Sequence, residues 1–321
     1  MRLSVVTTLY QSSPYILEFH QRVRAVIQKL PGKVQYDIIF VDDGSPDNSL
    51  SIATKLFKKE KNIKIVALSR NFGHSRAILT GLSYATGDLI FLIDSDLEEP
   101  PEILIDLYKK WSAPGSGGAI DVAYARQDKR KGRWFEKISG TFFWRLFNWL
   151  TDVQMPPNPM TARLMTRRYV RSLLLHEERE LFLAGLLNIT GYRQEPVLAK
   201  KGDKGKSTYT FQKKLSLTIN AITSFSHMPL IFIFVFGTAV SLLSLGCIFW
   251  VLFSKVIMGI TYLSGWASLI LITCFFGGLS LSAIGAVGIY LGKVFVEVKK
   301  RPCIIMDVFP RNMKRSFDFE N

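Results

Sequence analysis

Two stretches of this chain, Leu215 to Ser254 and Val256 to Gly292, contain no Asp, Glu, Lys or Arg. No other feature limits the fold so strongly. A helix needs roughly 20 apolar residues to cross a bilayer, and two cores fit: Pro229 to Phe253 and Ala267 to Leu291. A pair of buried core helices is the competing reading, but globular helices rarely run so far without a charge. Two transmembrane helices are therefore expected. The link between them, Ser254 to Trp266, holds one charge, Lys255. Beyond Gly292 come Lys293, Lys299, Lys300 and Arg301, then Arg311, Lys314 and Arg315. The positive-inside rule puts this tail in the cytoplasm, together with the large N-terminal region.

The composition agrees. The 321 residues carry 41 Lys and Arg against 26 Asp and Glu, a net +15, yet only 21% of them are charged. A soluble domain usually carries about 25%. With 23 Phe and a mean hydropathy of +0.17, part of the chain is expected outside water. Three Cys, an odd number, exclude a disulfide-framework secreted protein. Cys247 and Cys274 fall inside the two spans, where packing explains them. The opening MRLSVVTTLY has one Arg and too short an apolar run for a cleavable signal.

The first 110 or so residues alternate between strand and helix patterns. LSVVTTLY, YDIIFVDDG, IKIVALS and DLIFLID read as strands. Helices are expected over Ser13–Leu30, Ser45–Lys59 and Ala77–Ala85. Ser12 or Ser13 is the expected N-cap of the first, with Pro14 in its first turn. Apolar runs this continuous imply a mostly parallel sheet covered on both faces. The second strand ends in Asp42 and Asp43, the third in Arg70 and Asn71, the fourth in Asp94 and Asp96. Ligands of open α/β sheets bind outside the carboxyl ends of the strands, so these three ends mark a site.

The residue types suggest its chemistry. Asp94, Asp96 and Glu98 leave the fourth strand at alternate positions, and side chains two apart share a face. Three oxygen-only groups are thus expected to converge, as suits Mg2+ or Mn2+ bound through a few carboxylates and substrate phosphates. A solvated acidic turn before Pro100 and Pro101 is the alternative, and a lone D-x-D does not exclude it. Its company does the deciding. Asp42 and Asp43 can accept hydrogen bonds from a base or ribose, Asp47 and Asn48 can cap the next helix, and the planar fork of Arg70 suits a diphosphate or a pyrimidine carbonyl.

Gly132 to Leu150 interleaves Trp134, Phe135, Phe142, Phe143, Trp144, Phe147 and Trp149 with Arg and Lys. Stacking on nucleic acid is one reading. An interfacial helix is the other, and the two downstream spans favour it. Lys213 to Phe225 reads as a second such helix. The runs Lys129–Lys131 and Lys200–Lys206 would face anionic headgroups at about 1 kcal/mol per close charge. That accounts for the +15 with no nucleic-acid partner. His20, His74, His176 and His227 lack metal-ligand spacing, and no catalytic role is read from them.

VVTTLY, FVDDGSPDNS, LSRNFGHSRAILTGLSYATGDLI and DSDLEEPPE resemble the donor half of family 2 glycosyltransferases of the GT-A fold. ITSFSHMPL, entering the first span, and GIYLGKVFVEVKKRP, leaving the second, are similar to polyprenyl-phosphate glycosyltransferases. Bactoprenol glucosyltransferases are the nearer group, dolichyl-phosphate mannose synthases the more distant. The resemblance covers about Leu3 to Pro302. It implies an α/β GT-A (Rossmann-like) catalytic domain plus interfacial helices and two transmembrane helices, in a bacterial inner membrane with both termini cytoplasmic. Residues 1–130 form the nucleotide-sugar core, 131–228 the acceptor-side part, 229–292 the spans and 293–321 a basic tail. The implied reaction is inverting transfer of one sugar from a nucleotide diphosphate, UDP-glucose or another UDP-hexose, to polyprenyl phosphate, for O-antigen or cell-envelope glycan modification. A homo-oligomer is compatible with it.

The site residues carry over singly. The nucleotide sugar falls to Asp42, Asp43, Arg70, Asp94, Lys204 and Ser207, the last two in a G-x-[ST]-x-[YF] element of Gly205, Ser207 and Tyr209 with Lys201, Lys204 and Lys206 around it. The metal falls to Asp94, Asp96 and Glu98, where relatives usually carry Gln at the third position. The acceptor phosphate falls to Arg126, Lys137, Ser139 and Arg163. Asp94, Asp96 and Arg126 are the implied catalytic set. Many relatives carry Gly-Asp-Phe-Arg-Leu where this chain has Met160-Thr161-Ala162-Arg163-Leu164, so an expected carboxylate is Thr161. A phosphate monoester has a second pKa of about 6, so the acceptor is already anionic and a general base adds little. In-line positioning and charge neutralisation are what the step requires. Two rivals stay open. A processive polysaccharide synthase would share the donor half, but GYRQEP is no substitute for its Q-x-x-R-W element. A non-catalytic, membrane-anchored sugar-nucleotide-binding subunit is suggested by Thr161 alone.

Overall fold

Continuous apolar runs become strands here because helices cover both faces of the sheet. The computed structural model describes residues 1–113, 120–127, 159–176, 178, 183–199, 228–257, 265–299 and 306–309. In β1 (Arg2–Leu9) every residue after Arg2 is buried. β2 (Gln35–Asp42), β3 (Ile63–Leu68) and β4 (Leu89–Leu92) follow the sequence reading closely. β5 (Val122–Gln127), β6 (Pro159–Thr166), β7 (Gln194–Ala199) and β8 (Met306–Phe309) complete one eight-stranded sheet of order β7-β5-β6-β4-β1-β2-β3-β8. β1 runs parallel to β2 and β4, β2 to β3, and β5 to β7. β6 is reversed between β4 and β5, and β8 is reversed on β3. The expected GT-A-like arrangement, a mostly parallel sheet layered with helices, is present.

The pleat sorts each strand between two cores. Val5, Ile38, Phe40, Ile65 and Phe91 meet α1 (Ile16–Ile27), α2 (Ser49–Lys59) and α4 (Ile103–Ser112) on one face. Phe19 of α1 packs edge-on against Phe40, with centroids 6.3 Å apart. Val6, Ile39, Val41, Val66, Ile90 and Leu92 meet α3 (His74–Ser83), α5 (Arg167–Leu174) and α6 (Leu183–Ile189) on the other. α3 lies so close that a Cβ on Gly81 would sit 2.5 Å from Val6 Cγ1 and 2.7 Å from Val41 Cγ2.

The helix starts differ from the sequence reading for identifiable reasons. Ser12 does not cap α1; its hydroxyl accepts the Tyr10 N–H at 3.1 Å, inside the loop, and the helix starts at Ile16 without a side-chain cap. Asp47 gathers the Ser45 and Ser49 hydroxyls and the Ser13 and Ser49 N–H groups, so α2 starts at Ser49 rather than Ser45. α3 starts at His74, three residues before Ala77.

Two long helices follow, α7 (Met228–Ile257) and α8 (Trp266–Val298). Among the described residues one segment, Phe275–Val298 of α8, is long and apolar enough to cross a membrane; Leu230–Val240 in α7 is apolar but shorter. The α8 segment is wholly unburied, unlike a core helix of a globular domain. The two expected interfacial helices, over 132–150 and 213–225, lie outside the described residues. β8 was not anticipated: after α8 the chain returns to the outer edge of β3, pairing Met306 with Leu68 and Phe309 with Ile65.

Candidate active site

The carboxyl ends of β1 to β4 lie along one edge of the sheet, and the chain turns there with little slack. Asp42 closes β2 and is 3% exposed. Its Oδ2 accepts the Ser45 N–H at 3.4 Å, while Oδ1 is buried with no hydrogen-bond partner among the described residues. Burial pushes this carboxyl up to about 6, against the opposing backbone bonds from Ser45 and Gly44. An ionisable oxygen buried without a partner is costly, and at Asp42 that cost falls at the carboxyl end of β2.

Asp43, expected to share that task, is arranged otherwise. Its Oδ1 accepts the Phe72 N–H at 2.7 Å and its Oδ2 the Gly73 N–H at 3.1 Å. Burial raises its pKa and these two amides oppose the rise. Asp43 thus braces the RNFG loop. The loops touch at the backbone: Gly44 has φ +61°, and a Cβ there would lie 2.5 Å from both the Arg70 carbonyl carbon and the Asn71 nitrogen. Only glycine fits. Arg70, held by this contact, is exposed, with its guanidinium 4.3 Å from the centroid of Phe72.

At the end of β4 the alternation argument gives way to a turn. Ile93 still bonds Val6 through its N–H at 3.1 Å, but Leu97 has φ 60° and Asp96 Oδ1 accepts the Glu98 N–H at 3.0 Å. Ser95, 2% exposed, donates its hydroxyl proton to the Thr8 carbonyl at 2.8 Å, and its Oγ lies 3.0 Å from the Ser12 hydroxyl. The chain is pinned inward at Ser95, and half-buried Asp94 and Asp96 flank it. Glu98, in the turn, does not complete a shell. Among the described residues no three His, Cys, Asp or Glu side chains are grouped to hold a metal ion, which corrects the expected convergence of Asp94, Asp96 and Glu98. Two carboxylates still fit Mg2+ or Mn2+, which bind through one or two of them plus substrate phosphates. The non-glycine residues with a left-handed backbone among those described are Leu97 and, after neighbouring β1, Gln11 at φ 53°. Such strain costs about 1–3 kcal/mol each and clusters at functional sites.

The sequence reading missed His74. It opens α3, with Nδ1 3.2 Å from Thr8 Oγ1 and Nε2 3.4 Å from Asp94 Oδ1. Spacing between histidines could not reveal it, because its neighbours come from other strands.

Arg126, expected to meet the acceptor phosphate, stands half-buried near the end of β5, just past a register shift from Tyr124, opposite Pro159. Thr161 is held by its backbone. Its N–H and that of Ala162 donate to the two oxygens of buried Glu99 at 3.0 and 2.6 Å, clipping β6 to the Asp94–Glu99 turn. Arg163, expected beside Arg126, is 6% exposed and turned inward, with Nε on the Thr161 carbonyl at 3.2 Å and Nη2 on that of Met160 at 3.1 Å. Burial lowers its pKa. Two of its donors are spent on bracing β6. Lys137, Ser139, Lys201, Lys204, Gly205, Lys206, Ser207 and Tyr209 lie outside the described residues.

Comparison with known proteins matches this edge to a family. The glycosyl transferase family 2 model covers residues 4–174, which include Asp42, Arg70, Asp94, Asp96 and Arg126. A glycosyltransferase from Mycobacterium tuberculosis is 44% identical over 306 residues, 95% of this chain and 87% of the relative. The SfII prophage-derived bactoprenol glucosyl transferase of Shigella flexneri is 31% identical over 308 residues, 95% of this chain and 97% of the relative. Among solved structures, glucosyl-3-phosphoglycerate synthase from Mycobacterium tuberculosis, in complex with Mn2+, UDP and glucosyl-3-phosphoglycerate, is 18% identical with a TM-score of 0.43, covering 69% of this chain and 77% of that one. With its polar strand ends and a match spanning more than half its length, the chain belongs to glycosyl transferase family 2 and is a glycosyltransferase.

Proposed function

We propose that this glycosyltransferase moves one hexose, with inversion, from a UDP-sugar to polyprenyl phosphate at the cytoplasmic face of a bacterial inner membrane. The observation that carries the lipid acceptor is the extent of the match to the bactoprenol glucosyl transferase. It runs over 308 residues and 97% of that protein, whereas the family model stops at residue 174. The likeness therefore includes the long apolar helices, not the donor half alone.

In this reading Asp42 receives the nucleoside and the Arg70 fork the diphosphate, with Lys204 and Ser207 closing over it. Asp94 and Asp96 hold Mg2+ or Mn2+, which when bound neutralises charge on the diphosphate. Arg126, with Lys137 and Ser139, holds the acceptor phosphate in line with the anomeric carbon. An acceptor oxygen forms the new C–O bond as the bond to the diphosphate breaks, and the electron pair leaves with UDP. No proton is lost from the acceptor, because a phosphate monoester is largely a dianion above about pH 6. Thr161 in place of a carboxylate is thus no obstacle. α7 and α8 are read as two spans, with the basic residues after Gly292 keeping the tail and the catalytic region inside. Modification of O-antigen or another cell-envelope glycan is the corresponding role.

Membranes containing the chain, incubated with a panel of labelled nucleotide sugars, test the reading. A single-sugar, organic-extractable, acid-labile lipid is the expected product. Polymer would instead mean a processive synthase. No product with any donor would mean a non-catalytic binding subunit.

A further inference from the structure

β6 is irregular where it passes the Asp94–Glu99 turn. Tyr124 pairs with Arg163 and Arg126 with Pro159, so one residue of β5, Ala125, faces three of β6, Met160 to Ala162. An ordinary bulge sets two residues against one. On the other flank the ladder to β4 ends at Leu92 and Arg163, and the β4 chain then turns through Leu97. Two buried side chains of opposite charge serve the peptide groups of this stretch. Glu99, 3% exposed, accepts the Thr161 and Ala162 N–H groups at 3.0 and 2.6 Å. Arg163, 6% exposed, donates to the Thr161 and Met160 carbonyls at 3.2 and 3.1 Å. Burial disfavours the Arg163 charge, while Tyr169 and Glu99 favour it. A regular ladder would satisfy the same four groups with no buried charge, and a buried ion pair is often no more stabilising than an apolar one. Stability therefore does not account for the arrangement. Its place does: Glu99 ends the turn that carries Asp94 and Asp96, and Pro159, at the far end of the bulge, lies opposite Arg126. Bulges bend a strand and re-aim side chains beside active sites.

We propose that Glu99 and Arg163 are paired positioning residues that hold the β6 bulge against the Asp94–Glu99 turn and so fix the spacing between the donor carboxylates and Arg126. The inference rests on the reading of Asp94 and Asp96 as the donor end and of Arg126 as the acceptor end. Glu99 and Arg163 themselves touch neither substrate in this account. They act on the backbone between the two ends, where a misplacement of about 1 Å can cost about 100-fold in rate.

Hydrogen exchange and steady-state kinetics of the full-length, detergent-solubilised protein test it. Glu99→Gln keeps the shape of the side chain but leaves one of the two N–H groups without an acceptor. Exchange in the peptide over residues 159–166 is expected to quicken about 10–100-fold, the value of one charge-assisted bond, with β1 to β3 unchanged. With UDP-glucose and polyprenyl phosphate, kcat is expected to fall about 100-fold. UDP affinity and the KM for the lipid should stay within about threefold of wild type, as for an interaction that acts only on alignment. Arg163→Met acts on the same bulge without charge, so the double variant should lose no more kcat than the worse single one. Unchanged exchange over residues 159–166 in Glu99→Gln would overturn the proposal, with or without turnover. So would normal kcat despite faster exchange, or losses that multiply in the double variant. Arg126→Ala with an unchanged lipid KM would instead refute the acceptor reading, because the exchange result needs no substrate.

Discussion

Two aspartates on β2, five residues apart and almost equally buried, have opposite surroundings. Asp37, near the amino end of the strand, is surrounded by partners: Ser4 Oγ at 2.5 Å, Lys64 Nζ at 2.6 Å, Thr86 Oγ1 at 3.3 Å and Arg2 Nη2 at 3.4 Å. Asp42, at the carboxyl end, meets only the backbone of Ser45 and Gly44 and keeps a buried oxygen with no hydrogen-bond partner among the described residues. Burial alone does not distinguish them. The difference is whether the fold completes the carboxylate or leaves it for something else to complete. One end of the sheet is built for stability, and the other gives up stability to hold bonding capacity in reserve.

Five substitutions can break or sharpen that contrast. The largest effect belongs to Asp96→Ala, which should remove measurable turnover while leaving folding and membrane insertion intact. EDTA should do the same to the wild type, reversibly with Mn2+ or Mg2+, and full activity in chelator would end the ion-based account. At the other end of β2, Asp37→Ala should leave Lys64 without its closest partner. Breaking a buried pair costs about 3–5 kcal/mol, and because Lys64 is partly exposed the low end, about 3 kcal/mol, is expected in denaturant unfolding. Turnover below the transition should be unaffected; a kinetic defect without a stability defect would blur the two ends.

A smaller effect concerns Asp42 and pH. Its folded pKa is raised from 3.8 to about 6, so the folded state holds the proton more tightly than the unfolded one. That stabilisation is full below about pH 4 and is lost as pH rises through 6. Linkage makes the loss about 2 kcal/mol between pH 4 and pH 6. Asp42→Asn should abolish this part of the slope in the ligand-free protein while weakening nucleotide-sugar binding; an unchanged slope would mean the carboxylate is better solvated than its burial implies. The smallest effects are on the acceptor side. Arg126→Ala should raise KM for the lipid about 10–100-fold, the value of one charge-assisted contact, and KM for the nucleotide sugar little. Thr161→Ala should stay within about twofold of wild type. Inactive Thr161→Ala beside normal Arg126→Ala would put a needed group at the hydroxyl and overturn the self-activating acceptor.

These sites were unequally legible in the sequence. β1 to β4 could be read because a strand covered on both faces must be apolar throughout, and a polar residue at its end is then conspicuous. That located Asp42, Arg70 and Asp94. It could not separate Asp42 from Asp43, because residue type does not say whether a carboxylate meets a ligand or the amides of a neighbouring loop. Alternation along a strand failed after Ile93, where Leu97 and its left-handed backbone turn the chain. Arg163 was expected to meet phosphate by family resemblance, but its side chain turns to the carbonyls of Met160 and Thr161. His74 and Glu99 meet Asp94 and Thr161 across 20 and 62 residues of sequence, where no local pattern records the partner.

The sheet's last strand has a consequence for how the protein is made. A bare strand edge invites pairing with other chains, and β8 is what covers β3. Met306 is synthesised 238 residues after its partner Leu68, at about 5–20 residues per second roughly 10–50 s later. Both long helices must emerge in that interval. The first four strands are thus translated early and sealed last, and the β3 edge stays open until α7 and α8 have left the ribosome.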